Sequence, residues 1–261
     1  MLNGLDLFSG IAGNTLGLRQ YVKTVAYCEA DKHAQSVLLS RMSDGSIERA
    51  PICTDVTKLD GNELKGIIDI IVGGFPCQDI SVAGKGVGLA GKRSGLFFEL
   101  CRLVEEIKPT FVFLENVPAI RTRGLREVVR SLTDLGYDCR WACVSAAEVG
   151  APHLRKRWFL LAYSDTKRYS SKSEYNKAIS EEQFRTFRSS KMLFQRTSGT
   201  VEPNTDYYSA SRDYWTVEPN VGRVVDGLPL RVDRIKRLGN AVVPLQAKVA
   251  FEKLIGIARP K

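Results

Sequence analysis

A short apolar run, Ile67 to Val72, is broken only by Asp69 and ends in Gly73-Gly74-Phe75-Pro76-Cys77-Gln78. A buried strand that closes on two glycines and then presents Pro-Cys sets a thiol at the carboxyl edge of a parallel sheet, where open α/β folds bind their ligands. Free cysteines are among the most buried residue types and mostly act as small hydrophobes. Cys28, Cys53, Cys101, Cys139 and Cys143 lie in or beside apolar runs and fit that role. Cys77 is set differently: Pro76 fixes the backbone before it, Gln78 is polar, and the two glycines let another molecule come close. The local pattern leaves an inert thiol and a nucleophile both open.

The rest of the chain alternates strands with helices. Residues 2 to 7 read as a strand, followed by the turn Phe8-Ser9-Gly10-Ile11-Ala12-Gly13 and a helix to about Tyr21. Val22 to Cys28 is a second strand closing on Glu29, and Asp31 to Met42 a second helix. Ile52 to Asp55 reads as a short strand ending in an acid. Ser94 to Ile107 carries Leu96, Phe97, Leu100, Leu103, Val104 and Ile107 at helical spacing before Pro109 stops it. Thr110 to Leu114 is a buried strand that delivers Glu115-Asn116-Val117 to the same edge as Cys77. Leu125 to Leu135 is helical, Cys139 to Val144 and Trp158 to Tyr163 form a hairpin pair, and Leu245 to Ile257 is a last helix, apolar on one face. Such alternation predicts an α/β sheet with helices on both faces and an antiparallel element late in the chain. An acid that closes the second strand of a βαβ unit hydrogen-bonds ribose hydroxyls, so Asp6, the glycine turn and Glu29 read as a nucleoside-binding arrangement. The Gly-x-x-Gly spacing alone fits a structural turn equally well.

A formal charge of +9 and a pI near 9.3 favour a polyanionic partner, nucleic acid most simply. The charge is clustered: Lys85, Lys92 and Arg93 in the glycine-rich stretch after Cys77, Arg121, Arg123, Arg126 and Arg130 after Glu115, and Arg155-Lys156-Arg157 before the last predicted strand. No run of 18 apolar residues and no basic, apolar leader appear, so an intracellular protein without a membrane partner is expected. The two histidines, His33 and His153, are far apart and there is no Cys-x-x-Cys pair, so no metal site is expected. Residues 164 to 200 break the α/β pattern, with eight Lys or Arg against four Asp or Glu and few aliphatics.

In order along the chain, Asp6-Leu7-Phe8-Ser9-Gly10, Glu29, Asp55, Gly74-Phe75-Pro76-Cys77-Gln78, Gly95-Leu96-Phe97-Phe98, Glu115-Asn116-Val117, Arg155-x-Arg157, Arg223-x-x-Asp226-Gly227 and Gly239-Asn240-Ala241-Val242-Val243-Pro244 strongly resemble the motifs of the C5 cytosine-specific DNA methyltransferases of bacterial or phage type. The resemblance implies a Rossmann-like S-adenosylmethionine-dependent methyltransferase sheet with a small inserted target-recognition domain. Residues 1–163 would form the N-terminal part of the catalytic domain, 164–235 the recognition domain with its hinge, and 236–261 a segment completing the catalytic domain. It implies Cys77, Glu115, Arg155 and Arg157 as catalytic residues. Asp6, Phe8, Gly10, Glu29, Asp55, Phe75, Leu96, Asn240 and Ala241 would serve the cofactor, and Gln78, Lys85, Lys92, Arg93 and Asn116 the DNA. It further implies a monomer acting on double-stranded DNA in a bacterial cytoplasm, from a host or a phage genome. A tRNA cytosine methyltransferase of the same superfamily and a non-catalytic DNA-binding module are the competing readings. His153 stands where the family usually has Gln, Ala12 where a glycine is common, and Ala30 where a bulky residue often stacks on the adenine.

Overall fold

A computed structural model describes residues 1–75, 95–164 and 241–257. The described strands are β1 (Leu2–Leu7), β2 (Val22–Cys28), β3 (Ile52–Cys53), β4 (Ile70–Gly73), β5 (Phe111–Asn116), β6 (Tyr137–Val144) and β7 (Arg157–Ser164). They form one sheet in the order β3-β2-β1-β4-β5-β7-β6. The pairs from β3 through β5 are parallel, while β7 runs antiparallel to both β5 and β6. The expected hairpin is present, and its second strand is the one that joins the parallel part.

Alternation along β5 shows why helices cover both faces. Val112 and Leu114 enter one apolar cluster with Leu100, Leu103 and Val104 of α3 (Leu96–Ile107) and Val128 and Leu132 of α5 (Leu125–Asp134). Phe111 and Phe113 enter another with Leu18 of α1 (Gly13–Leu18) and Ala250, Phe251 and Leu254 of α6 (Pro244–Ile257). A period of two in a strand thus sorts neighbours to opposite sides of one sheet. The remaining helices are α2 (Lys32–Ser43), whose first turn is capped by the Asp31 carboxylate at the amides of His33 and Ala34, and the single turn α4 (Ile120–Arg123).

The last helix docks through absent side chains. A Cβ on Gly13 would lie 2.5 Å from the Val242 carbonyl oxygen, and one on Gly17 would strike the Pro244 carbonyl. Two glycines one helical turn apart therefore let α6 lie against α1. α1 ends at Leu18, short of the expected Tyr21, because the Tyr21 carbonyl accepts the Leu2 amide and starts the β1–β2 pairing.

Between β1 and its neighbours the strand order reverses: the chain leaves β1 for β2 and β3, then returns to β4 and β5 on the other side. Such a switch point opens a crevice at the carboxyl ends of the strands. The loops after β1, β2, β3, β4 and β5 all empty on that edge.

Candidate active site

Glu115, near the end of β5, is 8% exposed, and its Oε1 lies 2.9 Å from Nε of Arg157 at the start of β7. The Glu115↔Phe159 register brings the two together across an antiparallel pair. Burial pushes the Glu115 carboxyl up to about 7, against the opposing pull of Arg157 and Arg155. Burial, and then the neighbouring Arg157, draws Arg155 below the usual guanidinium range. The Arg155 guanidinium donates to the Ala241 carbonyl, just before α6. A carboxyl that holds its proton near neutrality beside two guanidiniums can donate to a ring nitrogen and then carry the resulting charge.

The loop after β4 runs directly beside this acid. A Cβ on Gly74 would sit 3.0 Å from Glu115 Oε2. Asn116 Nδ2 donates to the Phe75 carbonyl at 3.2 Å, while its Oδ1 accepts the Val117 amide at 2.8 Å. Gly74-Phe75 is therefore strapped to the end of β5, and only Pro76 separates Phe75 from Cys77.

Across the switch point the carboxylates are arranged to accept. Glu29 Oε2 takes the Gly10 amide at 2.7 Å and its Oε1 the Asp31 amide at 2.8 Å, which joins the loop after β1 to the one after β2. With about four lone-pair sites on a carboxylate, two remain for a diol. Asp55 caps a 3-10 turn, Val56–Lys58, by taking the Thr57 amide and hydroxyl on Oδ1, and these bonds hold its carboxyl below the usual range. Phe8, Gly10 and Ala12 have φ of 55°, 53° and 66°, so the loop between them bends through left-handed conformations that cost a non-glycine residue about 1 kcal/mol each. At Ala12 that cost falls where the family commonly has glycine. Half-buried Phe8 and Leu96, a carboxylate with spare lone pairs and a second acid one strand away suit a nucleoside with an apolar base face and a ribose diol.

A family model, C-5 cytosine-specific DNA methylase, matches residues 2–224. The chain belongs to this family. It is 42% identical over 159 residues to a type II methyltransferase, M.CviJI, of Paramecium bursaria Chlorella virus IL3A, covering 60% of this chain and 42% of that one. It is 35% identical over 177 residues to the type II methyltransferase M1.ScrFI of Lactococcus lactis subsp. cremoris, covering 66% and 43%. A crystal structure described as a prophage-encoded DNA modification methyltransferase of E. coli superposes with a TM-score of 0.53 at 29% identity, over 67% of this chain and 50% of that one. DNMT2 of Spodoptera frugiperda shares the fold, with a TM-score of 0.53 at 20% identity over 66% and 53%. The chain thus spans less than half the length of these two curated relatives.

Of the residues that family membership singles out, Phe8, Gly10, Glu29, Asp55, Leu96, Glu115, Arg155, Arg157 and Ala241 lie in the loops and strand ends described above. Three others are more deeply buried. Asp6 is 2% exposed, its Oδ2 accepts the Thr15 hydroxyl, and burial pushes its carboxyl up to about 7. Phe75 is 2% exposed and packs on Phe97 with ring centroids 5.0 Å apart. Asn116 is 2% exposed with both ends of its amide engaged, so it holds the Phe75 loop. Cys77, Gln78, Lys85, Lys92, Arg93 and Asn240 lie outside the described residues.

Burial pushes the Cys101 and Cys139 thiols up to about 12 and raises Cys28 as well, as expected of structural cysteines. Two supports had no signal in the sequence. Gln246 of α6 is 0% exposed, and its Nε2 donates to the Val144 carbonyl at 2.9 Å and the Arg155 carbonyl at 2.7 Å, which holds the arginine segment against β6. Arg102 of α3 donates to the Val56 and Leu59 carbonyls, both at 3.1 Å, and so fixes the turn that carries Asp55.

Proposed function

We propose that the protein transfers a methyl group from S-adenosylmethionine to C5 of a cytosine flipped out of double-stranded DNA, through a covalent bond between Cys77 and C6. The observation that carries this reading is the buried Glu115, paired to Arg157 and with its carboxyl pushed up by burial, beside the strapped Gly74-Phe75 loop.

Each residue then has a task. Cytosine C5 is a poor nucleophile until a thiolate adds at C6, and Cys77 supplies the thiolate. Addition pushes electron density onto N3, where Glu115 donates its proton and Arg157 steadies the carboxylate that remains. Arg155 and Arg157 present guanidinium forks to the extruded nucleotide. Removal of the C5 proton after methylation and expulsion of Cys77 from C6 restore the aromatic ring. Glu29 would accept the ribose hydroxyls, Asp55 the adenine amino group on its uncommitted Oδ2, and Phe8 and Leu96 the adenine face, with Gly10, Asn240 and Ala241 closing the pocket. S-adenosylmethionine supplies an electrophilic methyl group there. Extrusion of the base costs a few kcal/mol, recovered in pocket contacts.

Gln78, Lys85, Lys92 and Arg93 would meet the duplex from the glycine-rich segment. Residues 164–235 would form the recognition domain, and 236–261 return to the catalytic one, as the docking of α6 on α1 supports. The chain would act as a monomer in a bacterial or phage setting, and the type II methyltransferase relatives, one viral and one bacterial, support a restriction-modification role. Among the described residues no helix is long and apolar enough to cross a membrane.

The test is transfer of labelled methyl from S-adenosylmethionine to mixed-sequence duplex DNA, followed by nucleoside digestion, with Cys77→Ser as control. Label in 5-methylcytosine that disappears in the control is the expected result. Label absent from DNA while the folded protein binds the cofactor would overturn the reading, and label in tRNA would replace it.

A further inference from the structure

Beyond Asn116 the chain builds a surface that the reaction above leaves unused. α4 and α5 frame an open groove of about 650 Å³ lined by Arg121, Arg123, Arg126 and Arg130 with Thr122 and Ser131. Its shape follows from the core: Ile120, Val128 and Leu132 are fully buried, which turns the four arginines outward, and all four are exposed. The acids on its lining are Glu127 and Asp134, and Asp134 lies 3.6 Å from Arg130. Arg126 and Arg130 stand one helical turn apart, where like charges destabilise an isolated helix. A groove lined by guanidinium forks matches phosphodiester oxygens.

The groove adjoins the acid. Asn116 Oδ1 accepts the Val117 amide, and the Ile120 and Arg121 amides donate to the Val117 and Pro118 carbonyls, both at 3.1 Å, so the chain turns tightly off the end of β5. Arg121 lies five positions after Asn116, a span of at most about 18 Å, about half a turn of a duplex. We propose that Arg121, Arg123 and Arg126 form a phosphate-binding groove that holds the backbone of the duplex beside the extruded cytosine. This rests on the DNA reading above and adds a contact set separate from the glycine-rich segment.

The experiment is equilibrium binding of the full chain to a 30-base-pair mixed-sequence duplex from about 50 to 250 mM salt, with methyl transfer measured at saturating DNA. Each phosphate contact contributes about 0.9 to the log–log salt slope, so Arg121→Ala/Arg123→Ala/Arg126→Ala should lower the slope by about 2–3 on every sequence tested. Cofactor affinity and the transfer rate at saturating DNA should hold, and the corresponding triple lysine variant should regain most of the slope. Arg130→Ala, whose partner is Asp134, should change it little. Wild type that methylates DNA while the folded alanine variant keeps its slope would overturn the groove and leave the enzyme reading intact. Wild type that neither binds nor methylates the duplex would overturn both.

Discussion

Two strand ends on one edge of the sheet carry a carboxyl each, and the protein treats them in opposite ways. Glu29 at the end of β2 is half exposed and spends both oxygens as acceptors of backbone amides. Glu115 at the end of β5 is buried against Arg157, and burial lifts it to about 7. The same functional group is thus prepared to accept in one place and to donate in the other. Environments that engage two carboxyls so differently divide donor from acceptor work in an active site. The division suits a reaction that must hold a diol on one side of the crevice and protonate a ring nitrogen on the other.

The largest expected effect separates the two acids kinetically. Glu115→Gln removes the proton donor and should lower kcat by about 10²–10⁴-fold with little change in the KM for S-adenosylmethionine. Glu29→Gln should do the reverse, raising that KM by about tenfold or more and leaving kcat within a few-fold. The pH profile sharpens the contrast: wild-type kcat should fall on the alkaline side with an apparent pKa near 7 as Glu115 loses its proton, and Glu29→Gln should keep that limb. If Glu115→Gln instead raises the cofactor KM at unchanged kcat, the division of labour is wrong.

A smaller effect comes from α6. Gln246 touches no reacting atom. It holds the Arg155 carbonyl, and the Arg155 side chain reaches back to the Ala241 carbonyl, so the arginine segment is clasped from both sides. Gln246→Leu keeps the volume and leaves two carbonyls without a donor. It should lower kcat by about tenfold with a change in cofactor KM below threefold, whereas Gln246→Glu, protonated below neutrality, should recover part of the rate at low pH. Loss of stability with unchanged kcat in the folded fraction would make the residue purely structural.

How much of this was legible in the sequence depended on distance along the chain. The apolar run in 110–114 and the helical spacing in 94–107 are local, and they predicted β5 and α3, while the side of the sheet that α3 covers came from the fold. Glu115 and Arg157 were legible as motif members, and the register of β5 on β7 supplied their contact. Gln246 was not, because its partners lie 91 and 102 residues away and a glutamine on an apolar helix carries no mark of what it will meet. Asp6 and Asn116 were assigned to ligands because they sit in motifs at strand ends. A strand end does not say how exposed its last polar side chain will be, and both of these are 2% exposed.

Asp6 supplies the control for the comparison, a carboxyl raised by burial with no guanidinium beside it. Its folded value near 7 lies above the ordinary 3.8, chiefly through loss of hydration, with Thr15 pulling the other way. Between about pH 4 and 7 the native state therefore binds more protons than the unfolded one, so this group's contribution to stability is intact at the acid end of that window and falls as pH rises. Asp6→Asn stands for the protonated form and keeps an acceptor for Thr15. It should match wild type near pH 4 in denaturant titrations and exceed it at pH 8 by up to a few kcal/mol, as a shift of about three units allows. Cofactor affinity, measured on the same variant, tests separately whether Asp6 also serves the cofactor. A variant no more stable than wild type at pH 8 would mean that water or a neighbouring donor already satisfies the buried carboxylate, and burial alone would then no longer explain why Glu115 holds its proton.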